Sequence, residues 1–120
     1  MRQILLNGVG ATTSAVMNTN YLENITVQFI GSGISSGNGV LTFLGSNDGI
    51  NYLAFSVVDP TAANTNAQNL IRSTSFTLSA NGSKLAAIEN TAKFEFIKFT
   101  LTWTTDGAYS VIVHADKKSS

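Results

Sequence analysis

The chain has 120 residues, a length typical of one domain, and its seven basic and seven acidic side chains give a formal net charge of zero at pH 7. Balanced charge leaves no basic stripe for the phosphates of nucleic acid or for an anionic membrane surface, so neither partner is expected. The sequence contains no cysteine, which excludes disulfides, thiolate nucleophiles and sulfur-ligated zinc.

The first predicted element is a short strand over residues 4–6. Its apolar run stops at Asn7, too early for the core of a signal peptide, so we expect a protein that is made and kept in the cytoplasm or released by lysis. Residues 7–22 are small and polar, which predicts a lead-in loop. The predicted organisation is an N-terminal strand and arm over residues 1–22, a main domain over 23–116 and a frayed tail over 117–120.

The next element is a strand that begins near residue 23. Ile25, Val27 and Phe29 alternate with polar residues, the period of two expected of a strand with one buried face. Residues 31–39 are rich in glycine and serine, which predicts a loop or a crossover between sheets.

Three polar turns containing Asp-Gly or Asn-Gly predict three β-hairpins, because these pairs favour the positive φ values of tight hairpin turns. The turns lie at residues 46–49, 80–83 and 104–107. The paired segments would be 40–45 with 50–58, 76–78 with 84–88, and 94–104 with 108–115. Between the first two hairpins, residues 59–69 contain the one proline and predict the longest exposed connection.

The strand before the last turn carries the strongest apolar pattern. Ile97, Phe99, Leu101 and Trp103 fall on one face, which predicts Phe99 and Trp103 near the centre of the core. Phe94 and Phe96 fall out of phase with this row. They predict either a β-bulge near residues 96 and 97 or a strand start that is covered on both faces.

The fold class follows from the number and spacing of these elements. No segment of helical length shows an apolar period of 3.6 residues, and about eight strands are joined by hairpins and one or two longer crossings. This pattern predicts an all-β protein with an antiparallel β-sandwich or jelly-roll fold of about eight strands. A closed barrel is the alternative.

Residues suited to catalysis are sparse. The one histidine, His114, is predicted on the face of the last strand that carries Ser110 and Ile112, and we interpret it as a structural or surface residue. Nothing in the spacing of the seven acidic residues selects a carboxylate pair or a metal site. We therefore predict a protein that is not an enzyme, with no catalytic residue, cofactor or metal.

One loop remains as a candidate site for a ligand or a partner. Asn47, Asp48, Asn51 and Tyr52 place amide and carboxylate groups beside an aromatic ring, a combination that suits a glycan. The polar segment 64–69 is a second loop that such a site would use.

The segment 40–52, VLTFLGSNDGINY, resembles a hairpin of small β-sandwich proteins from the virions of tailed bacteriophages, and segments 24–31 and 94–107 look like further strands of those proteins. The resemblance implies a capsid decoration or head-fibre-type accessory protein that binds capsid or other virion proteins. It also implies a small homo-oligomer, such as a trimer, located in the virion. A similar hairpin occurs in discoidin-type sandwiches, so a carbohydrate-binding or host-surface-binding module is the alternative.

Surface composition agrees with an assembled protein. Edge strands are normally protected by charges or proline, and this chain has few of either, so we expect a partner to cover its edges. Phe94, Phe96 and Ile112 are predicted as the apolar side chains left for such a contact.

Overall fold

The computed structural model describes residues 2–8, 12–60, 72–89, 94–104 and 106–117. These residues form eleven strands. The strands are β1 (Arg2–Gly8), β2 (Thr12–Asn18), β3 (Leu22–Ser32), β4 (Asn38–Ser46), β5 (Leu53–Ala54), β6 (Val57–Val58), β7 (Arg72–Ser73), β8 (Ser75–Leu78), β9 (Gly82–Ala87), β10 (Phe96–Thr104) and β11 (Ala108–Lys117).

The strands form two antiparallel sheets. Sheet I has the order β1-β11-β3-β9-β6-β7, and sheet II has the order β2-β10-β4-β5, with β8 also paired to β4. The predicted all-β sandwich is confirmed. The strand count exceeds the expected eight partly because β5, β6 and β7 are only two residues long and leave no periodic pattern in the sequence.

The core lies between the sheets and consists of the inward side chains of alternating strand positions. Phe43 stands at its centre, with ring centroids 5.9 Å from Phe99 and 5.8 Å from Phe76. The side chains that are almost completely buried include Val27, Phe29, Leu41, Phe43, Val57, Ile97, Phe99, Leu101, Tyr109, Val111 and Val113. Burial of side chains of this size contributes roughly 1.5–3 kcal/mol each, so this layer is the main source of stability.

The first predicted hairpin is present, but its second strand is much shorter than expected. Leu44 pairs with Ala54 and Gly45 pairs with Leu53. After β5 the chain leaves sheet II, and Phe55 turns its ring onto the core. The predicted strand over residues 50–58 was therefore wrong: the loop takes residues 47–52, and β6 belongs to the other sheet.

The second and third predicted hairpins were wrong. β8 pairs with β4 in sheet II, whereas β9 pairs with β3 in sheet I. Likewise, β10 lies in sheet II between β2 and β4, and β11 lies in sheet I between β1 and β3. Both turns reverse the chain from one sheet to the other, so the strands on either side face each other across the core.

The prediction of a loop over residues 7–22 was also wrong. Residues 12–18 form β2, which pairs with β10 from Thr12 opposite Thr102 to Asn18 opposite Phe96. On this strand Met17 is buried and Val16 is exposed, as expected of a strand at the edge of a sandwich. Small polar residues masked the alternation because few positions of β2 carry a large apolar side chain.

The two out-of-phase aromatic residues have separate explanations. The register of β10 runs without a shift from Phe96 onward, so there is no bulge. Phe96 is half-buried and lies over Gly49, so this start of the strand is covered on its outer face as well. Phe94 precedes the strand and packs against Gly45 and against Phe55, with ring centroids 4.8 Å apart.

Glycine is required where Tyr109 crosses the core. A Cβ atom on Gly39 would lie 2.4 Å from the Tyr109 ring, and one on Gly107 would lie 2.8 Å from its hydroxyl oxygen. Trp103 is half-buried and packs against the same ring at 5.8 Å. The prediction of a central position is thus confirmed for Phe99, whereas Trp103 lies near the end of its strand.

The glycine-rich segment 31–39 is a crossover, since it links β3 of sheet I to β4 of sheet II. The predicted connection 59–69 falls outside the described residues from 61 onward, as does the tail from 118 onward. In the part of the chain that is described, no helix could span a membrane.

Candidate functional site

The predicted site residues lie together in the loop between β4 and β5, residues 47–52, where Asp48 is the central group. Its Oδ1 atom accepts hydrogen bonds from the backbone N–H groups of Ile50 and Asn51, both at 2.8 Å, and from Ser46 Oγ at 2.8 Å. Its Oδ2 atom accepts one from Asn51 Nδ2 at 2.8 Å. The carboxylate therefore fixes the path of the loop from inside.

Ser46 completes this arrangement from the end of β4. Its Oγ atom accepts hydrogen bonds from the backbone N–H groups of Asp48, at 3.2 Å, and Gly49, at 2.9 Å. Gly49 has a φ of 73°, in the left-handed region that glycine adopts without strain. The backbone N–H groups of Asn51 and Ile50, with the Asn51 amide and Ser46, hold the pKa of the Asp48 carboxyl well below its usual range. Asp48 is thus ionised at neutral pH.

The other two predicted residues face neighbouring elements. Asn47 Oδ1 accepts a hydrogen bond from the backbone N–H of Glu95 at 3.0 Å, which joins the loop to the segment before β10. The Tyr52 ring is half-buried, and Lys98 Nζ lies 5.1 Å from its centroid, a cation–π distance. The polar groups of the predicted site therefore shape the loop and attach it to the sandwich.

Three large apolar side chains near this loop are strongly exposed. Ile50 is 81% exposed, Leu53 is 79% exposed and Tyr21 is 76% exposed. The exposure of Ile50 and Leu53 was missed because both fell within a predicted hairpin strand, whereas Tyr21 lay within the predicted loop 7–22. The available signal was the position of Ile50 directly after Asp48-Gly49, where a tight loop leaves a side chain facing solvent.

The exposed side chains lie at one end of sheet II. Phe96 of β10 pairs with Asn18 of β2 and with Ser46 of β4, so the segments that follow those two strands meet the segment before β10. Thr19 N–H donates to the Glu95 carbonyl at 3.0 Å, and Thr19 Oγ1 donates to the carbonyl of Phe94. We call the surface formed by residues 19–21, 47–53 and 94–95 the loop tip.

A second aspartate organises the opposite end of the sandwich. The Asp106 carboxylate accepts hydrogen bonds from Ser35 Oγ at 2.5 Å, from the Gly37 backbone N–H at 3.0 Å and from the backbone N–H groups of Ser35 and Ser36. The Ser35 hydroxyl, followed by these N–H groups, keeps the pKa of Asp106 below its usual value. This contact fixes the β3–β4 crossover against the turn before β11.

His114 lies where the strand pattern predicted. Its side chain is exposed on the outer face of sheet I, the face that also carries Ser110 and Ile112, and it stands opposite Thr26 of β3. Among the described residues, no group of three or more His, Cys, Asp or Glu side chains is arranged to hold a metal ion.

The structure is a two-sheet antiparallel β-sandwich in which hydrogen bonds to Asp48 and Asp106 fix the loops at its two ends. No known protein family matches the chain, and no curated protein matches its sequence. Among solved structures, the fold is similar to that of the SPBc2 prophage-derived protein YomS, with a TM-score of 0.71 and 13% sequence identity. The match covers 97% of this chain and 92% of YomS. The protein therefore has the fold of a prophage-derived protein over nearly its whole length.

Proposed function

We propose that this protein is a non-enzymatic structural component of a bacteriophage virion, a capsid decoration or head-fibre-type accessory protein that binds the surface of the shell. It is made in the host cytoplasm and acts in the virion. The observation that carries the proposal is the fold shared with YomS across both chains. The phage origin of that neighbour agrees with the resemblance of residues 40–52 to a virion-protein hairpin.

The loop geometry favours a protein partner over a glycan. The carboxylate of Asp48 and the amide oxygen of Asn47 accept hydrogen bonds from the protein itself. These bonds use part of the acceptor capacity of both groups, which leaves fewer outward-facing polar atoms for the hydroxyl groups of a sugar. Exposed apolar side chains on a fixed loop instead suit burial against another protein.

We further propose that the protein acts as a small homo-oligomer, and edge strand β2 supports this. Among the described residues β2 pairs only with β10, so it is an edge strand of sheet II. The strand has no charged residue and no proline, and its register carries no bulge. Charged residues, proline and bulges are the features that normally keep a sheet edge from pairing with another chain, and β2 has none of them.

The test is whether the protein belongs to the particle. Virions of the phage that encodes this chain are purified on a density gradient, and the protein is quantified against the major shell protein by mass spectrometry. We expect co-sedimentation with intact heads at a fixed ratio to the shell subunit. A protein found only in the soluble fraction of the lysate would contradict the proposal.

A further inference from the structure

We propose that the loop tip is the surface that docks on the shell, and that it binds an apolar socket bordered by Arg or Lys side chains on a shell subunit. This inference rests on the proposed function and specifies the partner and the face that meets it. The contact is made by Tyr21, Ile50 and Leu53, whereas the polar residues of the loop hold those side chains in place.

The loop tip carries a concentration of exposed apolar side chains. The three most exposed large apolar side chains of the described residues, Ile50, Leu53 and Tyr21, all belong to the loop tip. They lie across the ends of β2, β10, β4 and β5, a span of about 14 Å at the usual strand spacing. Scattered apolar residues are ordinary on a protein surface, but a group of this kind marks an interaction site.

The loop tip is held in one shape before any partner binds. Asp48 and Ser46 fix the path of residues 47–51, and the contacts of Glu95 with Asn47 and Thr19 join the segments to one another. Tyr21 has a φ of 65°, an uncommon backbone conformation for a residue with a side chain. A fixed loop loses little conformational entropy on binding, which favours affinity.

The charge of the loop tip indicates which kind of partner it fits. The charged residues of the loop tip are Asp48 and Glu95, both acidic, and none is basic. Lys98 lies beside this surface with its ammonium group over the Tyr52 ring. A partner that buries the apolar side chains must also face two carboxylates, so Arg or Lys at the border of its socket is complementary. A second copy of this chain would bring like charges together at the same surface.

The experiment measures binding to shells that lack the protein, purified from the phage after deletion of this gene. Ile50→Ser and Leu53→Ser remove apolar contact without changing charge, and Leu85→Ser is the matched control in the middle of sheet I. Leu85 is 38% exposed and lies on an internal strand. Circular dichroism and thermal unfolding are used to establish that each variant remains folded.

We expect Ile50→Ser and Leu53→Ser each to weaken binding about ten-fold or more, the loss expected for one buried aliphatic side chain. Leu85→Ser should bind as the unmodified protein does. Binding should weaken as salt is raised, and Glu95→Gln should reduce this salt dependence because it removes one of the two carboxylates.

Two results would overturn these ideas separately. If the unmodified protein binds the shells and both loop-tip variants bind equally well, the inference is wrong and the virion function stands. If the unmodified protein does not bind the shells at all, the proposed function is wrong, and a shell subunit is not the partner of the loop tip.

Discussion

Asp48 and Asp106 occupy equivalent roles at opposite ends of the sandwich. Each carboxylate accepts hydrogen bonds from several donors, and each has a lowered pKa because those donors favour the charged form. They differ in how far away in the sequence their hydrogen-bond donors lie. Asp48 binds donors within three residues of itself, whereas Asp106 binds donors about seventy residues earlier in the chain. Sequence alone identified both as turn residues, but only local donors can be foreseen from spacing.

Asp106→Asn tests this long-range contact. The amide removes the negative charge that receives Ser35 Oγ and the backbone N–H groups of residues 35–37, so we expect a lower melting temperature at pH 7. The folded pKa of Asp106 lies below its usual value of 3.8, so the folded state holds the proton less tightly than the unfolded state. The stabilisation is therefore complete above that usual value and is lost as the pH falls through the lowered pKa.

The measurement is thermal unfolding from pH 7 down to pH 2. The melting curves of Asp106→Asn and of the unmodified protein should differ at pH 7 and approach each other in acid. Asp116→Asn is the control, because Asp116 accepts a hydrogen bond from Asn24 Nδ2 at 3.0 Å, away from the crossover. If Asp106→Asn melts at the same temperature as the unmodified protein at pH 7, the Asp106 contact does not stabilise the fold.

For single residues, the exposure of aromatic and aliphatic side chains was the property that the sequence predicted least well. Phe94 and Phe96 were expected at the surface, yet Phe94 packs on Gly45 and Phe96 on Gly49. Phe94 is covered by β4 and Phe55, and Phe96 is covered by the loop that Asp48 fixes, so their burial depends on how segments distant in the sequence come together. Ile50, in contrast, was placed in a strand and is exposed, because the Asp48 carboxylate holds the backbone in a loop where a strand would have buried it.

At the level of the elements, alternation predicted β3, β10 and β11 with their buried faces, but it missed β2 and did not indicate which strands pair. Phe99 and Leu101 are buried as their spacing indicated. However, a strand in a sandwich needs one buried face whether its neighbour along the chain lies in the same sheet or in the opposite one. Asn81-Gly82 and Asp106-Gly107 fit either connection, so the local signal for a hairpin was ambiguous.

Val16→Glu tests the unpaired edge of β2. Val16 is 52% exposed on the outer face and pairs with Lys98 of β10, so the new carboxylate has a favourable neighbour within the fold. In an antiparallel pair of β2 strands, two such carboxylates would lie near each other and repel. We expect a shift from oligomer to monomer in multi-angle light scattering.

The control for this change is Leu85→Glu, which places the same charge on β9, an internal strand of sheet I. It should leave the oligomer intact. An oligomer that survives Val16→Glu would place the interface elsewhere, and an unmodified protein that is monomeric at high concentration would contradict the proposed homo-oligomer.

For the molecule as a whole, the pairing of distant strands sets the expected folding rate. β1 pairs with β11 and β2 pairs with β10, so each sheet joins segments from near both ends of the chain. Topologies dominated by such non-local pairs fold slowly, typically in milliseconds to seconds. We expect refolding on this timescale, followed by the fluorescence of the single tryptophan, Trp103, which packs against Tyr109.

Stopped-flow dilution from denaturant measures this rate. A double-jump protocol separates the slower phase that isomerisation of the one proline, Pro60, would add. Refolding in microseconds would mean that local contacts dominate and would contradict the role assigned to the distant pairs.

The position of β11 also matters while the protein is being synthesised. It is the last strand of the sandwich to leave the ribosome, yet it lies between β1 and β3 in sheet I. Until it emerges, β1 and β3 have no strand to join them, and the nascent chain carries open edges that chaperones would have to shield. A chain that ends before β11 therefore lacks the strand that joins β1 to β3, and we expect such a fragment to be degraded.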